Sequence, residues 1–341
     1  MKAIIYDGPR QFSYRDTAEP TLEPDEVLMR VDACGLCGTD LHIHEGHFSP
    51  RFPLIPGHEF TGEIVETGTA VSEFKSGQRI VANSNVACGA CFYCLRGDRL
   101  LCDNLGAYGV TMNGGFAEYL KIKADRVFVI NNLTPRQAIM VEPTACAVHG
   151  MEVLAVKPGS DVLLFGAGPT GQVLAQLLQC NGAARLLVAA PPGPKLDLMA
   201  KLAGCEVIPM DRKDPEKHRR RLTELSPRGF DYVVEATGAV AVCEDALRFV
   251  RRRGTVMVYG VYDEKASVHF NPFDVFRREL TIKGSFAQID SFSRAVAYLE
   301  NGKIKVDEIV TEEVPLPDYQ RALDDTWARK GVKTALVPEH R

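Results

Sequence analysis

The stretch SDVLLFGAGPTGQVLAQLLQ constrains the fold of this chain more than any other. A short apolar run, VLLF, leads into G-x-G-x-x-G at Gly166, Gly168 and Gly171, and then into the helical pattern QVLAQLLQ. A strand that turns through glycines into a helix is the fingerprint of a dinucleotide-binding βαβ unit. The glycines permit the tight turn and let backbone approach a pyrophosphate, and the free N–H groups of the helix start meet its charge. Gly166, Pro169 and Thr170, with Gly168 and Gly171, are therefore candidate cofactor-binding residues. A helix-entry turn without a ligand is the blander alternative, and the flanking strand and helix weigh against it.

From about Cys146 to Ala287 strand and helix patterns alternate. RLLVAA, CEVIPMDR (ending at Arg212), FDYVVEATG, GTVMVYGVY and ELTIKGSFA read as buried strands. Such alternation over roughly 140 residues argues for a doubly wound parallel sheet. An NAD-binding sheet normally ends its second strand on Asp or Glu, which holds the ribose 2′-hydroxyl. Here that position is Ala190, and Lys195 opens the next helix. Without the acid, repulsion of a 2′-phosphate is lifted, so NADP is favoured over NAD. The basic runs 218–221 and 251–253 read as solvated faces of ordinary αβ elements.

Residues 1–33 carry short strand-like runs, AIIY and EVLMRVDA, followed by CGLCGTDLHIHEGHFSPRFPLIPGHE. Cys37, His58 and Glu59 offer sulfur, nitrogen and oxygen donors, a set that suits zinc better than calcium or magnesium. A catalytic zinc needs three protein ligands and one open position; Cys37 and His58 supply two, and Glu142, in VEPTACAVHG, is the best candidate for the third. Alone, Cys37 would be read as a small core residue and His58 as a hydrogen-bonded loop histidine. Thr39 and His42 lie where a hydroxyl and an imidazole can pass a proton from a metal-bound alcohol towards solvent. His44 and His47 read as ordinary surface histidines. Cys88, Cys91, Cys94 and Cys102 follow C-x2-C-x2-C-x7-C, which can close a tetrahedral zinc shell with no open position. An iron–sulfur cluster is the alternative, opposed by the last spacing and the lack of a following C-P. YLKIKADRVFVI reads as a strand, and TPRQAIMVEP as a helix with Glu142 near its end.

The 341 residues suit two domains. A net charge of −4 gives no general field for nucleic acid or an anionic membrane. The first residues lack a secretory core, no apolar run reaches the ~18 residues of a membrane span, and ten cysteines read as thiols or ligands. The expectation is a cytoplasmic protein with no nucleic-acid or membrane partner.

CGLCGTDLH, PGHEFTGEIVETG, the four-cysteine lobe, GGFAEY, VEPTACAVHG, GAGPTG, RRELTIKGSF and VTEEVPLPDY together resemble the zinc-dependent medium-chain alcohol dehydrogenases, over nearly the whole chain. Glu142-Pro143, where simple alcohol dehydrogenases carry a cysteine ligand, is similar to the polyol (sorbitol- and arabinitol-like) branch. The resemblance implies an α/β protein: a GroES-like β-rich catalytic domain from residues 1–145 and 288–341, around a Rossmann domain at 146–287, with the active site between them. It implies a catalytic zinc at Cys37, His58 and Glu142, with Glu59 as direct ligand or exchanging partner. It also implies a structural zinc at the four cysteines, and a proton relay through Thr39 and His42. Backbone at Val261 and Ser285 would line the nicotinamide. The implied activity is reversible oxidation of a polyol to a ketose with NAD(P), by a homotetramer or homodimer. Where sorbitol dehydrogenases carry an arginine after IKGxF, this chain has Ala287 and Gln288, which separates it from sorbitol itself. The rival readings are a threonine dehydrogenase-like amino-alcohol dehydrogenase and a non-catalytic regulator that binds zinc and nucleotide.

Overall fold

A computed structural model describes residues 1–48, 50–211 and 213–340. Arg212, read as the end of a strand, lies outside the described residues. The chain divides into two compact units, Met1–Ala145 with the segment from Gln288 onward, and Cys146–Ala287.

In the second unit six strands form one sheet. Across it they run Glu206–Pro209, Ala183–Ala190, Ser160–Phe165, Phe230–Glu235, Val250–Val258 and Thr281–Gly284. Every neighbouring pair is parallel. In chain order this is third, second, first, fourth, fifth, sixth, so the chain winds one way from Ser160–Phe165 and then the other. The reversal opens a crevice at the carboxyl ends of the first and fourth strands. Central strands of a parallel sheet are covered on both faces, which is why VLLF is apolar throughout. Leu163, Leu164 and Phe165 are fully buried, and the core continues through Leu187, Ile208, Phe230, Val233 and Phe249.

The first unit is built on a seven-stranded sheet whose hub is the strand Glu26–Leu36. It pairs antiparallel with Glu59–Thr67, Tyr119–Lys123 and Lys333–Val337. The last pairing ties the C-terminal segment to the start of the chain. Gly35 is the crossing point: it lies opposite Glu59 in one ladder and Ala335 in the other.

Two expectations need correction. YLKIKADRVFVI is not one strand: a 3₁₀ turn at Ala124–Arg126 divides it. Tyr119–Lys123 pairs with Glu26–Leu36, whereas Val127–Val129 pairs with Arg79–Ala82, so the chain changes neighbours at that turn. Nor does one helix end at Glu142. A short helix, Pro135–Ala138, is closed by a capping box between Thr134 and Gln137, and a second helix, Val141–Leu154, carries Glu142 in its first turn. Pro143 explains the break. Inside a continuous helix its ring would clash with the carbonyl four residues back, whereas in a first turn its missing N–H costs nothing.

Candidate active site

Cys37 follows the strand Glu26–Leu36 and caps the helix Gly38–His44, where its backbone N–H donates to Asp40 Oδ2 at 2.8 Å. Glu59 opens the neighbouring antiparallel strand. The two strand ends thus bring Cys37, His58 and Glu59 together, with candidate ligand atoms all within 4.8 Å of one another. Glu142 is buried but is not one of this group.

The charged groups around this cluster are buried. Asp40 Oδ1 lies 3.6 Å from His58 Nδ1. Burial works against the His58 imidazolium, but the Asp40 carboxylate and the Cys37 sulfur outweigh it and hold its pKa well above the ordinary histidine range. Lys333 Nζ meets Glu59 Oε2 in an ion pair, where burial works against the ammonium and Glu59, then Cys37, push its pKa up. A sulfur, an imidazole nitrogen and a carboxylate converging on one point, with His58 Nδ1 lacking a hydrogen-bond partner, fit a borderline divalent cation such as zinc.

Thr39 Oγ1 lies 3.8 Å from Cys37 Sγ. His42, one turn further along the same helix, places Nδ1 3.3 Å from Nδ1 of His47, and the Phe48 ring packs edge-on against it. His47 is therefore a polar neighbour of His42 rather than an isolated surface residue. His44 is likewise half-buried and hydrogen-bonded at 2.8 Å to the Tyr6 hydroxyl.

The four-cysteine lobe lies in the same unit. The sulfurs of Cys88, Cys91, Cys94 and Cys102 are all within 4.8 Å of one another. The Cys88–Cys94 and Cys91–Cys102 separations are 4.0 and 3.8 Å. A tetrahedron of zinc–sulfur bonds has edges of about 3.8 Å, so the lobe fits zinc. The backbone N–H groups of Cys88 and Asn104 donate to Cys102 Sγ, each at 3.3 Å. Backbone N–H groups of Ala90 and Cys91 pull the Cys88 thiol down to about 6.

In the second unit the glycine turn adopts the geometry its residues allow. Gly166 has φ 118°, and a Cβ there would come within 2.9 Å of the Ala236 carbonyl oxygen. At Gly171 a Cβ would run into the Gly166 carbonyl oxygen. Gly168 caps the helix Pro169–Cys180; Pro169, which has no N–H, and Thr170 open its first turn, where the N–H groups that follow the proline have no intrahelical acceptor. Gln172 braces this cradle: fully buried, its amide donates to the Ala167 carbonyl at 3.1 Å and to the Lys195 carbonyl at 2.7 Å. Ala190 ends its strand nearly buried, and Pro191, Pro192 and Gly193 lead to the helix Pro194–Ala203, which carries Lys195 in its first turn. Val261 follows the strand Val250–Val258 and is half-exposed. Ser285 follows Thr281–Gly284, and its Oγ has no hydrogen-bond partner.

Comparison with known proteins matches two family models: the alcohol dehydrogenase GroES-like domain over residues 23–132 and the zinc-binding dehydrogenase domain over residues 169–301. D-arabinitol dehydrogenase 1 of Uromyces fabae is 51% identical over 339 residues, covering 99% of this chain and 97% of the relative. The chain belongs to the zinc-dependent medium-chain alcohol dehydrogenases. D-altritol 5-dehydrogenase of Agrobacterium fabrum is 34% identical, with 87% of each chain covered. A zinc-binding dehydrogenase of Sinorhizobium meliloti bound to NADP superposes with a TM-score of 0.93 at 31% identity, covering 99% of both chains. The dehydrogenase is thus an oxidoreductase with a GroES-like unit and a Rossmann unit, using zinc and a nucleotide on a small-molecule substrate. Among the described residues no helix is long and apolar enough to cross a membrane.

Two residues packed beside the candidate metal ligands, Asp40 and Lys333, are not among the sequence-based candidates. Asp40 was detectable: it stands three positions after Cys37, at the N3 place of a capping box. Lys333 gave no signal, because a lysine beginning the run KTALV reads as a solvated strand end.

Proposed function

We propose that the dehydrogenase reversibly oxidises a secondary alcohol of a sugar alcohol to a ketose, with NADP preferred as hydride acceptor. The observation that carries this reading is the converging Cys37, His58 and Glu59 donor set. The D-arabinitol and D-altritol dehydrogenases among its relatives support a polyol substrate. Cys37, His58 and Glu142 would hold the catalytic zinc, with Glu59 beside it as a carboxylate that exchanges with water at the metal, and the four cysteines would hold a structural zinc. Bound zinc supplies Lewis acidity that lowers the pKa of the alcohol hydroxyl. Thr39 would relay the hydroxyl proton, its Oγ1 accepting it as its own hydroxyl proton leaves in the direction of the His42 imidazole, which would hold it on the way to solvent. Gly166, Gly168, Pro169, Thr170 and Gly171 cradle the pyrophosphate, while Val261 and Ser285 line the nicotinamide. We place the enzyme in the cytoplasm as a homodimer or homotetramer.

A panel of pentitols, hexitols, their ketoses, L-threonine and simple secondary alcohols, assayed with NADP and NAD, tests the substrate. The expected result is highest kcat/KM on a polyol. L-threonine outpacing every polyol would favour an amino-alcohol dehydrogenase, and equal rates on alcohols without a neighbouring hydroxyl would remove the polyol reading.

The cofactor preference is tested separately. Ala190→Asp restores the carboxylate that binds the 2′-hydroxyl and repels a 2′-phosphate, and should move the NAD/NADP ratio of kcat/KM towards NAD by on the order of tenfold or more. Lys195→Ala should weaken NADP more than NAD. A wild type that strongly prefers NAD, with neither substitution altering the ratio, would mean the ribose lies elsewhere.

A further inference from the structure

Lys333 and Glu59 pair with only 3% and 1% of their side chains exposed. Two charges taken so far from water rarely stabilise a fold more than a well-packed apolar pair of the same size. The space they occupy is also reserved. Gly35 lies opposite Glu59 in one ladder and Ala335 in the other. A Cβ at Gly35 would run into Glu59 Oε2 and come within 2.9 Å of Lys333 Cε. Its φ is not in the left-handed range, so glycine serves here to make room, not to permit a turn. Glu59 is also one of the three residues whose ligand atoms converge beside Cys37 and His58. The same carboxylate thus faces an ammonium and a metal position.

We propose that Lys333 is a positioning residue that restrains Glu59, so that the carboxylate does not claim the coordination position the alcohol needs. This rests on the reading of Cys37 and His58 as metal ligands with the Glu59 carboxylate beside the metal. A catalytic zinc works only while one position stays open to substrate. A carboxylate shared with a buried cation is a weaker donor than one free to turn fully to the metal, and groups just behind metal ligands shift metal affinity by about 10–100-fold.

The test uses zinc-loaded wild type, Lys333→Met, Lys333→Arg and the double variant Lys333→Met/Glu59→Gln. The first readout is the rate of zinc loss to a chelating dye, with the four-cysteine site as internal reference. The second is the visible spectrum of the cobalt(II)-loaded proteins, which weakens as coordination number rises. Lys333→Met should hold its metal about 10–100-fold longer and show weaker cobalt absorption. Lys333→Arg should stay near wild type, and the double variant should lose the gain. A gain that persists in the double variant would mark a bare charge effect and overturn the proposal, as would zinc loss as fast as in wild type. Without metal, Lys333→Met leaves Glu59 buried and unpaired, so melting is followed with and without zinc. Zinc should restore the lost stability, and a variant equally unstable with zinc, or unable to fold in its presence, overturns the role. Wild-type zinc content, measured alone, separates this from failure of the metal centre: retention only at the four cysteines removes the centre itself.

Discussion

Cys37→Ser lowers turnover by on the order of 1,000-fold or more, because several kcal/mol of alkoxide stabilisation depend on the metal that this sulfur helps to hold. The fold should survive. Cys37 is only half-buried, and the helix it caps is anchored by its backbone N–H to Asp40 Oδ2, a bond that does not use the sulfur. Serine is nearly the same size but offers a neutral, hard hydroxyl where zinc prefers a thiolate. Zinc content should fall by about one per chain, while the circular dichroism spectrum and melting temperature stay close to wild type. The measurements are metal analysis, a melting curve and kcat/KM on the best polyol. A folded Cys37→Ser enzyme with unchanged turnover would dismiss the site.

Much of this site was legible because local geometry demands particular residues in order. Gly166 and Gly171 are readable since one needs a positive φ and the other abuts a carbonyl. The four cysteines are readable because tetrahedral thiolate ligation leaves a spacing. Ala190 is readable because the end of an apolar strand can be counted. What stayed hidden depends on which strands become neighbours. Lys333 reaches Glu59 only because the C-terminal strand pairs beside Gly35, and no local pattern encodes that pairing. His47 looked like a surface residue because its partnership with His42 depends on how the loop after the helix Gly38–His44 folds back. Gln172 sat in plain view inside QVLAQLLQ, but a polar residue there reads as the solvated face of a helix. It is instead fully buried, bracing the glycine turn.

Cys94→Ser should leave catalysis largely intact at low temperature and loosen the lobe that carries it. Apolar packing does little for this lobe. The helix Phe92–Leu95 buries none of its residues, and Phe92, Leu95 and Leu101 are 63%, 76% and 55% exposed. Leu100 and Cys102 are its buried anchors. The remaining order comes from sulfurs held within 4.8 Å of one another and from N–H groups turned towards Cys102. Four thiol groups so close, without a cation between them, have little reason to stay together, and a structural zinc supplies that reason directly as folding free energy. Replacing one thiolate should therefore lower amide protection across residues 88–102 by on the order of 100-fold, equivalent to ~3 kcal/mol. It should also open that segment to limited proteolysis. Protection in the strands Ser160–Phe165 and Phe230–Glu235 should not change, since they belong to the other unit and its separate core. Hydrogen exchange read segment by segment, beside zinc analysis and kcat/KM, separates this outcome from that of Cys37→Ser. Full protection of the lobe in Cys94→Ser, with zinc content unchanged, would mean that its packing holds it without the metal.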